Sequence, residues 1–148
     1  MKTSTWIRTL AGILALFSIG HTLGTAAPRV RRGPSEAAVF DAMQRFRFPI
    51  MGFDRSYWEF YRGFALTISL LLLILAVLAW QLSAVSQRDP RGALPMAITL
   101  QLACAGILVL SWMFFFGGPV VMSLMAVVCA SIVVWRLKRD VRWSASPE

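Results

Sequence analysis

The chain has 148 residues, of which 57% are hydrophobic and only 15% are charged, and its formal net charge is +8. A soluble domain of this length keeps much of its surface in water and needs a larger polar share, so the composition excludes an ordinary soluble domain. The basic residues flank the apolar runs and form no separate basic domain, which argues against nucleic acid as a partner.

Charge is absent from long stretches of the chain. Residues 63–80 and 92–135 contain no charged side chain, and residues 9–28 contain only the titratable His21. About 20 helical residues cross the roughly 30 Å of bilayer hydrocarbon. The sequence therefore predicts an all-α fold, an integral membrane four-helix bundle that forms a single domain over residues 1–148. Its spans are predicted at about 6–27, 57–84, 94–116 and 119–136.

The first predicted span begins near Trp6 and ends near Ala27. A charged start, a short apolar run and small residues before Pro28 are also typical of a secretory signal peptide. We favour a retained span because the apolar character extends beyond the usual signal length. Both interpretations place the next loop outside the cytoplasm.

Residues 28–56 are the predicted extracytoplasmic loop, and part of it has helical character. Pro34 and Ser35 are typical of a helix start, and Glu36 suits the positive end of the helix dipole. Four apolar residues then recur at helical spacing: Val39, Phe40, Met43 and Phe46. The pattern predicts one amphipathic helix that lies on the membrane or caps the bundle and ends at Phe48-Pro49.

The second predicted span has the clearest signals. Ser56 and Glu59 fit a capping box, in which each side chain accepts a hydrogen bond from the other residue's backbone amide. Eleven Leu, Ile, Phe or Val residues between Phe64 and Trp80 favour insertion by about 3 to 7 kcal/mol. The third span is expected to begin near Leu94, with Pro95 in its first turn.

The basic residues also predict an orientation. Eight of them lie close to span ends on the side of the two termini, and seven lie on the other side, in the long first loop or just after it, together with four acidic residues. The positive-inside rule counts short loops most heavily, so both termini are expected in the cytoplasm. Tryptophans support this layout, because Trp6, Trp80 and Trp135 fall at one predicted interface and Trp58 and Trp112 at the other.

His21 is the main candidate for a functional residue. It is the only histidine and lies within an apolar span, where an ionisable group is costly and usually faces other helices. Thr25 shares its helix face, and Glu59, Tyr61 and Arg62 are expected at a similar depth on the second span. The alternative is a neutral imidazole that hydrogen-bonds a neighbouring helix and only stabilises the fold.

Small residues at four-residue spacing indicate helix packing. The pairs are Gly20 with Gly24 and Ala126 with Ala130. Gln101 is expected to form a hydrogen bond between helices.

No pattern points to a cofactor or a metal. Two cysteines, Cys104 and Cys129, are too few for a disulfide framework or a metal site, and we expect them to be packing residues. No span contains a carboxylate in its hydrocarbon stretch, which argues against a small cation-coupled multidrug exporter.

Two short motifs occur in and beside the first two predicted spans, G-H-x-x-G-T at residues 20–25 and S-Y-W-E-F-Y-R-G-F at residues 56–64. Together they resemble a family of small bacterial four-helix membrane proteins without an assigned activity. The resemblance covers the first two spans and, by general layout, the whole chain, and it implies a bacterial cytoplasmic membrane and four helices. It supplies no mechanism, and it directs attention to His21, Tyr57, Trp58, Tyr61 and Gly63.

Three functions remain open at this point. The first is a non-enzymatic membrane component that packs against itself, as a homo-oligomer, or against a larger membrane protein. The second is a small transporter or pore subunit in which His21 lines a polar route. The third is a membrane enzyme that acts on lipid or quinone at the outer interface. The lipid bilayer is the one partner common to all three.

Overall fold

The structure, a computed structural model, describes residues 2–27 and 33–143, so residues 28–32 of the predicted loop lie outside the described part. Helices account for most of it. The elements in chain order are α1 (Thr3–Ala26), α2 (Pro34–Arg45), β1 (Arg47–Ile50), β2 (Phe53–Ser56), α3 (Tyr57–Arg88), α4 (Pro90–Phe114) and α5 (Gly117–Trp143). The prediction of a predominantly helical fold is confirmed.

Four of these helices are long and apolar enough to cross a membrane, namely α1, α3, α4 and α5. They contain 24, 32, 25 and 27 residues. At about 1.5 Å per residue each is longer than the roughly 30 Å of hydrocarbon. These four helices support the prediction of a multi-pass membrane protein.

Local signals explain where α3 begins. The Glu59 carboxylate accepts a hydrogen bond from the Ser56 backbone N–H at 2.7 Å, and the Ser56 hydroxyl accepts one from the Glu59 N–H at 3.2 Å. The predicted capping box is therefore confirmed. It satisfies amide groups at the helix start that have no partner within the helix.

The start of α4 lies four residues earlier than predicted. Asp89 caps the helix by accepting a hydrogen bond from the Gly92 N–H at 2.9 Å, and Pro90 occupies the first turn. A Cβ at position 92 would lie against the Asp89 carboxylate, so a larger residue there would make this side chain shift. Pro95 consequently lies inside the helix, beyond the first turn in which its missing N–H carries no cost.

The chain divides into two compact units, and the first comprises Met1–Phe17 with Leu72–Glu148. Its core is built from stripes at alternating three- and four-residue spacing. The α1 stripe is Ile7, Leu10, Leu14 and Phe17, the α4 stripe is Ala93, Ala97, Leu100 and Cys104, and the α5 stripe is Ala126, Ala130, Val133 and Leu137. This is the spacing by which side chains of packed helices interlock.

Small side chains fill much of this core and large ones face outward. Ala79, Ala93 and Ser83 are at most 1% exposed, whereas Leu102 and Leu110 are 67% and 55% exposed. A soluble monomer rarely exposes apolar patches beyond a few hundred Å². Membrane helices commonly carry small residues at their contacts and large apolar residues on their outer faces. Small residues permit close approach of helices, and lipid solvates the large apolar side chains.

Polar contacts join helices of the first unit, and those of Gln101 and Arg8 are two examples. Gln101 on α4 donates a hydrogen bond to the Ser131 hydroxyl on α5 at 2.9 Å, which confirms the predicted interhelical bond. Arg8 on α1 donates to the Ser83 hydroxyl on α3 at 3.2 Å and stacks over the Trp80 ring at 5.4 Å. Arg8 thereby keeps its charge beside an amphipathic ring of the kind that lies at a membrane interface.

The second unit, Ser18–Leu71, contains a β-hairpin that the sequence analysis did not predict. β1 and β2 pair antiparallel, with Ile50 opposite Phe53. Met51 and Gly52 form the two-residue turn, both with positive φ (49° and 84°). This is the backbone of a type I′ hairpin turn, which usually carries Asn-Gly; Met-Gly gave no such signal.

Charged and aromatic contacts hold the hairpin in the second unit. Arg47 donates a hydrogen bond to the Asp54 carboxylate at 2.7 Å across the strands, and this bond raises the pKa of Arg47. The Phe48 ring lies 4.9 Å from Tyr57 and 5.7 Å from Phe60. These rings tie the hairpin to the first turns of α3.

Overpacking the small core tests the first unit. Ala130 is 1% exposed in α5, so Ala130→Leu forces added volume between helices and should lower the free energy of unfolding by about 1–3 kcal/mol. Ala84 lies on an exposed face of α3, so Ala84→Leu should leave stability unchanged. Thermal unfolding of the detergent-purified variants measures both effects. Equal melting temperatures for Ala130→Leu and Ala84→Leu would contradict this packing.

Candidate polar site on α1 and α3

Three polar side chains meet within the second unit, on the helix faces that continue the core stripes. Along α1, His21 follows Phe17 by four residues, and along α3, Ser69 precedes Leu72 by three. These positions would carry apolar residues in an uninterrupted stripe. The helical spacing therefore directs His21 and Ser69 toward each other.

Hydrogen bonds connect the two helices at this point. The Ser18 hydroxyl donates to the Ser69 carbonyl at 2.7 Å, and both side chains are buried. His21 Nδ1 lies 2.9 Å from the Ser69 hydroxyl oxygen. Hydrogen bonds between helices satisfy polar groups that hydrocarbon cannot solvate.

The Ser69 hydroxyl has two competing acceptors for its single proton. It lies 3.3 Å from the Ala65 carbonyl on its own helix and 2.9 Å from His21 Nδ1. If the proton goes to Ala65, His21 carries hydrogen on Nδ1 and presents Nε2 as an acceptor. If it goes to Nδ1, His21 presents Nε2–H as a donor. Both tautomers leave Nε2 without a hydrogen-bond partner among the described residues.

The threonines beside His21 are satisfied within their own helix. The Thr25 hydroxyl donates to the His21 carbonyl at 2.8 Å, and the Thr22 hydroxyl donates to the Ser18 carbonyl at 2.8 Å. Such bonds to the carbonyl four residues earlier occupy the hydroxyl proton. Thr25 therefore belongs to the surroundings of His21 but does not join α1 to α3.

Glu59 and Tyr61 were expected at the depth of His21, and the structure differs. His21 contacts Ser69, which lies ten residues after Glu59 and eight after Tyr61 on α3. At 1.5 Å per residue these separations are about 15 and 12 Å along the axis. The depth estimate was wrong because the stripe on α3 supplies a partner nearer mid-helix.

The candidate residues at the start of α3 have other surroundings. The Glu59 carboxylate belongs to the capping box and lies 3.8 Å from Arg47. Tyr61 stacks on Trp58 with ring centroids 5.6 Å apart. Arg62 is exposed on α3. All three residues lie in the first two turns of α3, apart from the His21 cluster along the helix, and Glu59 caps the helix start.

The two small-residue pairs differ in what surrounds them. Ala126 and Ala130 are buried in the core of the first unit, where neighbouring helices pack on them. Gly20 and Gly24 are exposed, and a Cβ placed on either would meet no atom within 4 Å. On a helical wheel His21 lies about 60° from Gly24 and about 100° from Gly20. The imidazole thus borders an open, flat face of α1.

The cysteines add no reactive centre. Cys104 and Cys129 are free thiols buried in the same apolar cluster, and Cys129 donates a hydrogen bond to the Trp6 carbonyl at 3.4 Å. Across residues 2–27 and 33–143, no three His, Cys, Asp or Glu side chains are grouped in a way that could hold a metal ion.

A double-mutant cycle tests the central contact. His21→Ala and Ser69→Ala should show a coupling energy of about 0.6 kcal/mol, with an upper range of about 1.7, since each removes one side of the same bond. Ser18 binds the Ser69 backbone, so that bond survives both changes. The control cycle pairs His21→Ala with Thr67→Ala, because Thr67 binds only the Gly63 carbonyl. Unfolding free energies in mixed micelles give the coupling energy of each cycle. Equal coupling energies in the His21/Ser69 and His21/Thr67 cycles would contradict the contact between His21 and Ser69.

Comparison of the chain with protein-family models, curated proteins and solved structures finds no match in any of the three. The resemblance to small bacterial four-helix proteins therefore stays a prediction. Function must be argued from the polar cluster and from the open face beside it.

Proposed function

We propose that this chain is a non-enzymatic component of a bacterial cytoplasmic membrane whose α1 binds a helix of a second copy. In this proposal α1, α3, α4 and α5 form a membrane bundle, and both termini are cytoplasmic. The basic residues near the span ends support that orientation. Helix α2, which has no buried residue, lies on the opposite membrane surface.

One observation carries the proposal: Nε2 of His21, which has no hydrogen-bond partner within residues 2–27 and 33–143, borders the open face of Gly20 and Gly24. A polar nitrogen left without a partner in hydrocarbon costs free energy, and a hydrogen bond from a neighbouring helix removes that cost. Glycines at four-residue spacing allow the backbone of that helix to approach closely. The polar group and the close-approach surface thus serve the same contact.

A second copy is the simplest partner for such a face. Two G-x-x-x-G surfaces are flat and complementary to one another, and a two-fold pair buries the same patch on both chains. Each His21 would then meet backbone or hydroxyl groups of the opposite α1. Thr22 and Thr25 carry such hydroxyl oxygens beside the glycines, and these oxygens keep acceptor capacity after donating to their own helix.

Substitutions on the open face test this function. Gly24→Leu fills the flat surface and should abolish most dimer formation in membranes. His21→Ala should weaken association by about 3- to 20-fold, the equivalent of one interhelical hydrogen bond. Gly106→Leu is the matched control, since Gly106 on α4 also faces open space but has no such polar neighbour. Energy transfer between labelled copies in vesicles measures the dimer fraction.

Two results would contradict the proposal. The first is a wild-type chain that stays monomeric at every protein-to-lipid ratio. The second is a dimer that Gly24→Leu and Gly106→Leu weaken equally. A monomer whose cellular phenotype nevertheless depends on His21 would favour the transporter or pore alternative.

A further inference from the structure

A groove of about 330 Å³, formed entirely by residues of the first unit, opens where three of its helices end. The start of α1 and the last turns of α3 and α5 form its walls. Its lining is polar and consists of Lys2, Thr3, Ser4, Ser86, Gln87, Arg136, Arg139 and Asp140. Its size is at the lower end of the range for ligand sites in proteins.

Charge makes this groove selective. Lys2, Arg136 and Arg139 contribute three positive charges and Asp140 one negative charge, so the lining carries a formal charge of +2. The start of α1 adds about half a positive charge, and the ends of α3 and α5 each add about half a negative one. The helix ends together contribute about −0.5, which the side chains outweigh. The groove therefore favours an anion.

Asp140 does not neutralise the groove by pairing with a cation. The Thr3 hydroxyl donates a hydrogen bond to its carboxylate at 2.7 Å, and this bond links α1 to α5. No salt bridge of Asp140 occurs within the part of the chain that the structure describes. Its role is to fix the walls of the groove.

Aromatic rings beside the groove suit the depth of lipid headgroups. The Arg139 guanidinium lies 5.1 Å from the centroid of the Trp135 ring, and that of Arg136 lies 6.0 Å from the centroid of the Trp6 ring. Trp135 is exposed on α5, as expected for a ring in an aromatic belt. When the face of a guanidinium contacts an aromatic ring, its in-plane N–H groups stay available to donate hydrogen bonds to oxygen acceptors.

We propose that this groove binds the headgroup of an anionic phospholipid, with the acyl chains lying along the apolar outer surface of the helices. A phosphate oxygen is the acceptor that paired guanidinium groups and an ammonium bind best. Basic pockets between membrane helices bind anionic headgroups in this way. A zwitterionic headgroup carries no net charge to match the +2 lining, so the site distinguishes the two lipid classes.

The test compares two charge-matched variants in nanodiscs. Lys2→Gln with Arg139→Gln removes two exposed cations of the groove. Arg88→Gln with Arg91→Gln removes two exposed cations from the junction between α3 and α4, and neither of these residues lines the groove. Binding of phosphatidylglycerol over phosphatidylcholine is measured by native mass spectrometry. The groove variant should bind phosphatidylglycerol about 30-fold more weakly, since each basic residue at a membrane surface contributes about a factor of five. The loop variant should match wild type.

Other outcomes overturn the proposal. If both variants lose affinity for phosphatidylglycerol equally, only general surface charge attracts the lipid. If neither variant loses affinity, the groove does not bind the lipid. Stabilisation of the lipid-free protein by inorganic phosphate to the same degree as by phosphatidylglycerol would assign the groove to a free anion. A charge-retaining variant, Lys2→Arg with Arg139→Lys, should keep the lipid preference. Its loss would indicate disruption of the fold and would remove the charge argument.

Discussion

Hydrocarbon offers no hydrogen-bond partner, and the other features of this chain follow from that constraint. A backbone in lipid must satisfy its own N–H and C=O groups, so long uncharged segments become helices. Lipid also cannot drive apolar side chains together, so helices associate through close packing of small residues. The first unit shows both consequences, with many alanine, serine and cysteine side chains in its core and many leucine and tryptophan side chains exposed.

The same constraint gives the His21 cluster its significance. An imidazole in a stripe of apolar residues requires partners, and Ser69 provides one for Nδ1. The second ring nitrogen has none among the described residues, although Gly20 and Gly24 leave space for another helix beside it. The proposed partner helix would supply a hydrogen bond to this second nitrogen.

Each of the two units is held together by different chemistry. In the first unit Arg8, Arg136 and Arg139 lie over tryptophan rings, a pairing that is typical of membrane interfaces. In the second unit a capping box and an aromatic cluster start α3 and hold the hairpin. Cations near the helix ends of the first unit line the groove for which anion binding is proposed.

Much of the fold could be predicted because its signals are local. Uncharged runs predict the long helices, Ser56 and Glu59 predict the start of α3, and Gln101 predicts a bond between helices. The hairpin was missed because Met51 is an unusual residue at positive φ, and turn chemistry was its only sequence signal. Ser69 was not predicted because a single serine in a leucine-rich run gives no strong sequence signal. Its position in the α3 stripe, three residues before Leu72, was the pattern that could have indicated it. The groove depends on three helix ends meeting, which no local pattern encodes.

The central claim is that bilayer hydrocarbon surrounds the four long helices, and its most direct test is fractionation of cells that express the chain. After an alkaline carbonate wash the protein should stay in the membrane pellet, and only detergent should release it, because the exposed leucines and tryptophans of α3, α4 and α5 have no other solvent. A polypeptide that remains in solution as a monomer without detergent would contradict this account.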